Sequence, residues 1–215
     1  MGGRGQRIPG ASSGGKFQKN AMGPRVPGTL KEALGDKGRP MSVKDAYAGA
    51  NPYYDNTGSH AEYNMNCQRC VVAYELRRRG YDVVALPTYQ GDNLPRGTAG
   101  GNGHWMGAFQ GARSESVGAT RNAQVEKNIA AKMNAYGPGS RAVVRVQWQG
   151  RNGGGHVFSV ENSGGRMRYV DAQTGKPVNI KNYLGSSKPS RTQLVRVDNL
   201  RVSERAKKSV TKARS

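Results

Sequence analysis

Residues 64–87 read NMNCQRCVVAYELRRRGYDVVALP and hold both cysteines of the chain, Cys67 and Cys70. The spacing predicts a helix over residues 67–79. Asn64 or Asn66 can cap its first N–H groups, the residues that follow are good or neutral helix formers, and Gly80 ends the run. "YDVVALP" then reads as a strand of Val, Ala and Leu closed by Pro87. Cys67 thus opens a helix and Cys70 sits one turn further on. Such a pair can be a metal clip, a redox couple, two small core residues or the source of a nucleophile, and the rest of the chain has to decide.

Downstream, "TYQGDNLPRGTAGGNGHW" is a glycine-rich loop leading into the apolar "WMGAF", and residues 88–121 are long enough to cover a cleft. A second helix is predicted from about Asn122 to Tyr136, stopped by "GPGS". The pattern then changes to a period of two. "RAVVRVQW", "GHVFSVEN" and "RMRYVDAQTG" read as three antiparallel strands, with a tight turn at Ser163, Gly164 and Gly165, and "TQLVRVDNL" reads as a fourth. Helices first and sheet second place the domain in the α+β class. No internal repeat is visible.

The two ends read differently. Residues 1–40 carry Gly, Ser, Pro, Lys and Arg with almost no apolar pattern, which predicts a disordered basic arm. Residues 201–215, "RVSERAKKSVTKARS", read as a basic tail or frayed helix, leaving 41–200 as the domain. The 215 residues hold 34 Lys and Arg against 14 Asp and Glu, a formal net charge of +20. Such a charge attracts polyanions, so contact with nucleic acid or a capsid through the basic ends is one expectation. No apolar run is long enough for a membrane helix, and "MGGRGQRIPG" lacks the apolar region of a secretory signal, so no membrane partner is expected.

Three residues fall where acyl transfer needs them: Cys67 at a helix start, His156 opening "GHVFSVEN" and Asp171 ending "RMRYVDAQ". A helix N-terminus favours the thiolate. His156 can take the thiol proton and return it to a leaving amine, while Asp171 fixes its tautomer. With a hairpin centred on Gly164, His156 and Asp171 sit opposite each other. Gln173, on the same face as Asp171, can orient the histidine or bind substrate, and the backbone N–H of Cys67 can donate to an oxyanion.

The competing readings have weaker support. A zinc site would need two of His60, His104 and His156, which are too widely spaced for the usual ligand pattern. A redox couple expects a preceding strand, and "SHAEYNMN" is polar. Trp105 reads as core or lid. Asp171 followed by "AQTGK" is also good turn chemistry. The run Arg77, Arg78, Arg79 reads as a solvated helix face or as a grip on an acidic target or phosphates.

"NCQRCVVAYELRRRGYDVVALP", "GGHVFSVEN" and "YVDAQTG", in this order and with "NPYYDNTG" upstream, resemble the papain-like toxin domain. That family comprises predicted protein glutamine deamidases of polymorphic bacterial toxins and phage minor head proteins, and the match spans roughly Ala50 to Gly175. The resemblance implies a papain-like, cysteine-protease-like fold in which an N-terminal helix carries the nucleophile and an antiparallel sheet carries His and Asp. It implies hydrolysis of a glutamine side-chain amide in a host or target protein by Cys67, His156 and Asp171, without metal or organic cofactor. It places the chain in a phage virion or the cytoplasm of a host cell. The family's Asn-Cys pair favours Cys67 and gives Asn66 a supporting or oxyanion role. In papain-like proteases proper the second cysteine of Cys-x-x-Cys is the nucleophile, so Cys70 is the alternative. The same triad also serves proteolysis and acyl transfer, and a basic structural or packaging protein of a phage particle remains the reading from charge alone.

Overall fold

Consecutive apolar side chains along the central strands, as in Ala142, Val143 and Val144 or Val157 and Phe158, give the sheet two greasy faces, and helices cover both. The computed structural model describes residues 25–57, 59–88, 105–150 and 154–213. In chain order the elements are α1 (Leu30–Leu34), α2 (Val43–Ala48), α3 (Ala61–Asn64), α4 (Cys67–Arg78), β1 (Val83–Ala85), β2 (Glu115–Ser116), α5 (Asn122–Tyr136), β3 (Arg141–Gln147), β4 (Gly155–Ser163), β5 (Arg166–Asp171), β6 (Lys176–Pro177), α6 (Ile180–Gly185), β7 (Gln193–Arg196) and β8 (Val210–Lys212). Short 3-10 turns follow Trp105, Lys188 and Ser203.

Six strands form an antiparallel sheet in the order β2-β7-β3-β4-β5-β6. Val143, Val157, Val170 and Val195 face α4, while Val144, Val146, Phe158, Val160 and Leu194 face α5 and α6. This is the period of two expressed as packing. Strand β4 lies in the middle and is buried from His156 to Asn162, so its polar residues all need partners. Helix α4 is buried from Arg69 to Arg77, which is why it shows no solvent stripe in the sequence. The fold is the α+β, papain-like arrangement expected, with the helix carrying the cysteines packed on the sheet carrying His156 and Asp171.

Several expectations are corrected. The fourth strand, β7, is present and pairs with β3, because α6 carries the chain back across the sheet. The arm ends earlier than residue 40: Thr29 caps α1, and Ala33 and Leu34 join the core. Residues 1–24 lie outside the described residues. The C-terminal segment is not a tail, since β8 pairs antiparallel with β1 and Val210 is fully buried. Trp105 is core, whereas residues 89–104 of the expected cleft-covering loop lie outside the described residues.

The arginine run is neither a solvated face nor a phosphate grip. Arg78 makes a two-pronged bond to Glu161 of β4, at 2.9 and 2.7 Å, and also reaches the Met41 carbonyl. Arg79 bonds Glu75 at 2.7 Å and the carbonyls of Leu200 and Val197. Arg77 holds Asp82 at 2.7 Å and the Val83 carbonyl. Each guanidinium ties α4 to another element, with the planar fork geometry that suits arginine to such joints. Among the described residues no helix is long and apolar enough to cross a membrane.

Candidate active site

The start of α4 is fixed from outside the helix. Asn66 occupies the cap position, but its side chain makes no capping bond. It is buried instead, donating to the Leu86 carbonyl at 3.1 Å and to Asn51 Oδ1 at 3.2 Å. Asn51 in turn donates to the carbonyls of Tyr63 and Gln173. One amide pair thereby pins the helix start to α3, to the end of β1 and to the chain just beyond β5. With both N–H groups of Asn66 engaged, the side-chain oxyanion role considered for it is not available. The first-turn backbone N–H groups, Cys67's among them, lack intrahelical acceptors and carry the positive end of the helix dipole.

Cys67 is half-buried at the first helical position, and Cys70 is fully buried one turn on. The Cys70 thiol donates to Asn66 Oδ1 at 3.1 Å. Burial, reinforced by Cys67 and Asp171, pushes its pKa well up. A thiol held protonated, bonded and shielded is a core residue.

His156 and Asp171 meet as anticipated, by a different register. Gly164 and Gly165 both have positive φ, 63° and 91°, and they form a two-residue turn closed by the pair Ser163 and Arg166. Positive φ at both central positions is the hairpin geometry that glycine supplies without steric cost. Ser163 therefore belongs to the strand, and the register places Tyr169 opposite Val160 and Val170 opposite Ser159, so Asp171 falls opposite Phe158 and diagonal to His156. A shift of two positions preserves the face. His156 Nε2 and Asp171 Oδ2 are 3.1 Å apart, each side chain only 1% exposed.

Burial alone would push the His156 pKa down; the Asp171 charge and hydrogen bond, with a smaller contribution from Cys67, outweigh it and raise it. Burial likewise works against the Asp171 carboxylate, yet His156, Tyr183 and the Gln173 N–H together hold its pKa below the usual value. Each member of the pair favours the charged form of the other. With Nε2 committed to Asp171, Nδ1 is the nitrogen left for the thiol. It makes no hydrogen bond of ordinary geometry, and Cys67 is among the groups that raise the pKa of the ring.

Gln173 serves neither expected role through its side chain, which is buried and donates to the Asn64 carbonyl; its backbone N–H donates to Asp171 Oδ1 at 2.9 Å. Three residues absent from the sequence-based reading complete the site. The Tyr183 hydroxyl donates to Asp171 Oδ2 at 2.7 Å. Trp148 stacks on the His156 ring, centroids 6.1 Å apart and planes 16° apart. Asn51 is the third, and "NP" upstream of a helix gives no hint of it. Among the described residues no group of three or more His, Cys, Asp or Glu is arranged to hold a metal. His60 lies exposed beside Glu62, and His104 is outside the described residues.

The comparisons with known proteins fall on the same region. A family model described as "Papain fold toxin 1, glutamine deamidase" matches residues 65–176, more than half of the chain. Among solved structures, the Salmonella effector SpvD, in its G161 variant, is similar at 13% identity with a TM-score of 0.46, over 77% of this chain and 84% of that one. No curated protein matches.

Proposed function

We propose that this chain, which belongs to the papain fold toxin 1 family of glutamine deamidases, hydrolyses the side-chain amide of glutamine in a target protein through Cys67, His156 and Asp171. The observation that carries the reading is the buried His156–Asp171 contact of 3.1 Å beside a half-buried cysteine at a helix start. The Cys67 sulfur, deprotonated by His156, attacks the carboxamide carbon, and the oxygen takes up negative charge near the Cys67 N–H. As the tetrahedral species collapses, the C–N bond breaks and the imidazolium gives its proton to the nitrogen, which leaves as ammonia. Water then attacks the thioester while His156 takes its proton; the C–S bond breaks, and glutamate and the thiolate are released. Asp171 keeps its charge throughout and stabilises the imidazolium in both halves.

Thiolate, imidazole and backbone donors suffice for every step, so no cofactor enters the proposal. Replacing water by a protein amine would give a cross-link, and a peptide amide in place of the side chain would give cleavage. The phage particle or toxin system suggested by the sequence resemblance would deliver the enzyme to its host-cell target. A nucleic-acid or capsid role would rest on the basic ends of the chain, because Arg77, Arg78 and Arg79 are committed to internal partners. The test is to incubate the full chain with a bacterial lysate and map glutamine-to-glutamate conversion by mass spectrometry. Conversion by the native chain and none by Cys67→Ala is expected. Equal conversion by both would remove Cys67 as nucleophile, and cleaved or cross-linked products in place of glutamate would replace the reaction.

A further inference from the structure

Asp171 is held from more than one side, and the partner on α6 is the informative one. Its Oδ2 lies 3.1 Å from His156 Nε2 and 2.7 Å from the Tyr183 hydroxyl. Both donors therefore converge on a single oxygen, while Oδ1 accepts from the Gln173 N–H. The Tyr183 ring also packs on the imidazole, with centroids 5.8 Å apart and planes at 58°, and meets Phe158 edge-on at 5.3 Å. Trp148 stacks on the His156 ring itself, centroids 6.1 Å apart, and meets Tyr183 edge-on at 6.1 Å. The imidazole is thus enclosed by Trp148, Phe158 and Tyr183, all buried, and of the three Tyr183 alone has a polar atom on the carboxylate.

We propose that Tyr183 is a positioning residue of the candidate site, sharing one oxygen of Asp171 with His156 and so setting how strongly the carboxylate holds the imidazolium. The proposal rests on the reading of His156 as acid and base. A carboxylate oxygen that accepts a second hydrogen bond has less charge to offer the first donor. Tyr183 therefore keeps Asp171 ionised and in place while moderating its pull on His156. A base gripped too tightly would not return its proton to the leaving nitrogen or take one from water, so the moderation has a use in turnover.

The charged and titratable groups around this cluster come from every neighbouring element: Cys67 and Cys70 from α4, Tyr54 from the chain before α3, His156 from β4, Asp171 from β5 and Tyr183 from α6. Cys67, Cys70 and Tyr54 are present whether or not position 183 carries a hydroxyl, so the comparison of variants isolates the hydroxyl. Tyr183→Phe keeps the ring and its packing and removes only the donor to Oδ2.

The experiment reads His156 directly. The chain has three histidines, so imidazole nitrogen shifts of the full-length, histidine-labelled protein can be followed against pH by NMR and assigned with His156→Gln. In Tyr183→Phe the His156 midpoint should rise by about half a unit or more, because Asp171 regains charge density. An unmoved or lowered midpoint in a folded variant would reduce Tyr183 to a packing residue and overturn the proposal. If the variant does not fold, the native protein carries the same test. A slowly exchanging Tyr183 hydroxyl proton with a cross-peak to the His156 ring supports the shared oxygen, and a fast-exchanging hydroxyl overturns it. Because neither readout uses activity, a failure here is distinct from a failure to deaminate glutamine.

Discussion

Replacing Glu75 with alanine should destabilise the fold more than any surface change of equal size. The Glu75 carboxylate is 1% exposed and is reached by Arg79 Nε at 2.7 Å and by Arg141 Nε and Nη2 at 2.7 and 2.9 Å. The two arginine side chains are themselves only 17% and 16% exposed. Removing the shared anion leaves two guanidinium groups near each other and largely out of water, a loss of about 3–5 kcal/mol. Arg79 keeps its bonds to the carbonyls of Leu200 and Val197, which places the expectation near the lower end. Against a typical total of about 5–15 kcal/mol, that is a large fraction. Urea unfolding at neutral pH is the assay, and with a slope of about 2–3 kcal/mol/M the midpoint should fall by about 1 M or more. Glu115→Ala provides the contrast. Its pair with Lys132 at 3.0 Å is 48% and 33% exposed, and such pairs contribute about 1 kcal/mol or less. A Glu75→Ala midpoint no lower than that of Glu115→Ala would refute the argument that α4 is clamped by buried charge.

Gly80→Ala should lose about 1–3 kcal/mol in the same assay, because Gly80 has φ 101° and an added Cβ would lie 2.3 Å from the Gly38 carbonyl oxygen; a neutral result would mean that the α4 stop is not strained as described. Asp171→Asn should cost most stability between about pH 4 and 6.5. The raised His156 pKa contributes fully below the unfolded histidine value and fades as pH rises through the folded one. The lowered Asp171 pKa contributes above the unfolded carboxylate value and is lost as pH falls through the folded one. Urea midpoints taken at about pH 3, 5.5 and 10 check this, and a gap that grows with pH would contradict it. Glutamine-to-glutamate conversion should be unchanged by a chelator such as EDTA; loss of activity restored by zinc would count against the cofactor-free route.

Cys67, His156 and Asp171, the residues of the proposed triad, could be singled out because each has chemistry that few positions share and each sits at the edge of a regular element, where a helix start or strand end is marked by local pattern. The register was not, because "NSGGR" leaves open whether Ser163 belongs to the turn or the strand, and only the positive φ of both Gly164 and Gly165 decides it. Tyr183 and Trp148 escaped for a different reason. Trp148 ends an apolar strand and reads as core, Tyr183 sits in the mostly polar "NIKNYLGSSK" yet is buried too, and nothing local reports that a hydroxyl will meet a carboxylate from another element. The arginine run was misread because charge on a helix predicts solvent unless the partners are known. Glu161 is 83 residues from Arg78 and Arg141 is 66 from Glu75. "SVTK" at the C-terminal end is too short to show a period of two, yet pairing with β1 buries Ser209 and Val210.

Iodoacetamide labelling of the native, folded chain tests the central claim most directly, because it needs no knowledge of the target. Cys67 should react far faster than Cys70 at neutral pH, and the His156→Gln variant should slow Cys67 toward the rate of an ordinary thiol. Equal rates for the two cysteines, or a Cys67 rate indifferent to His156, would contradict the account.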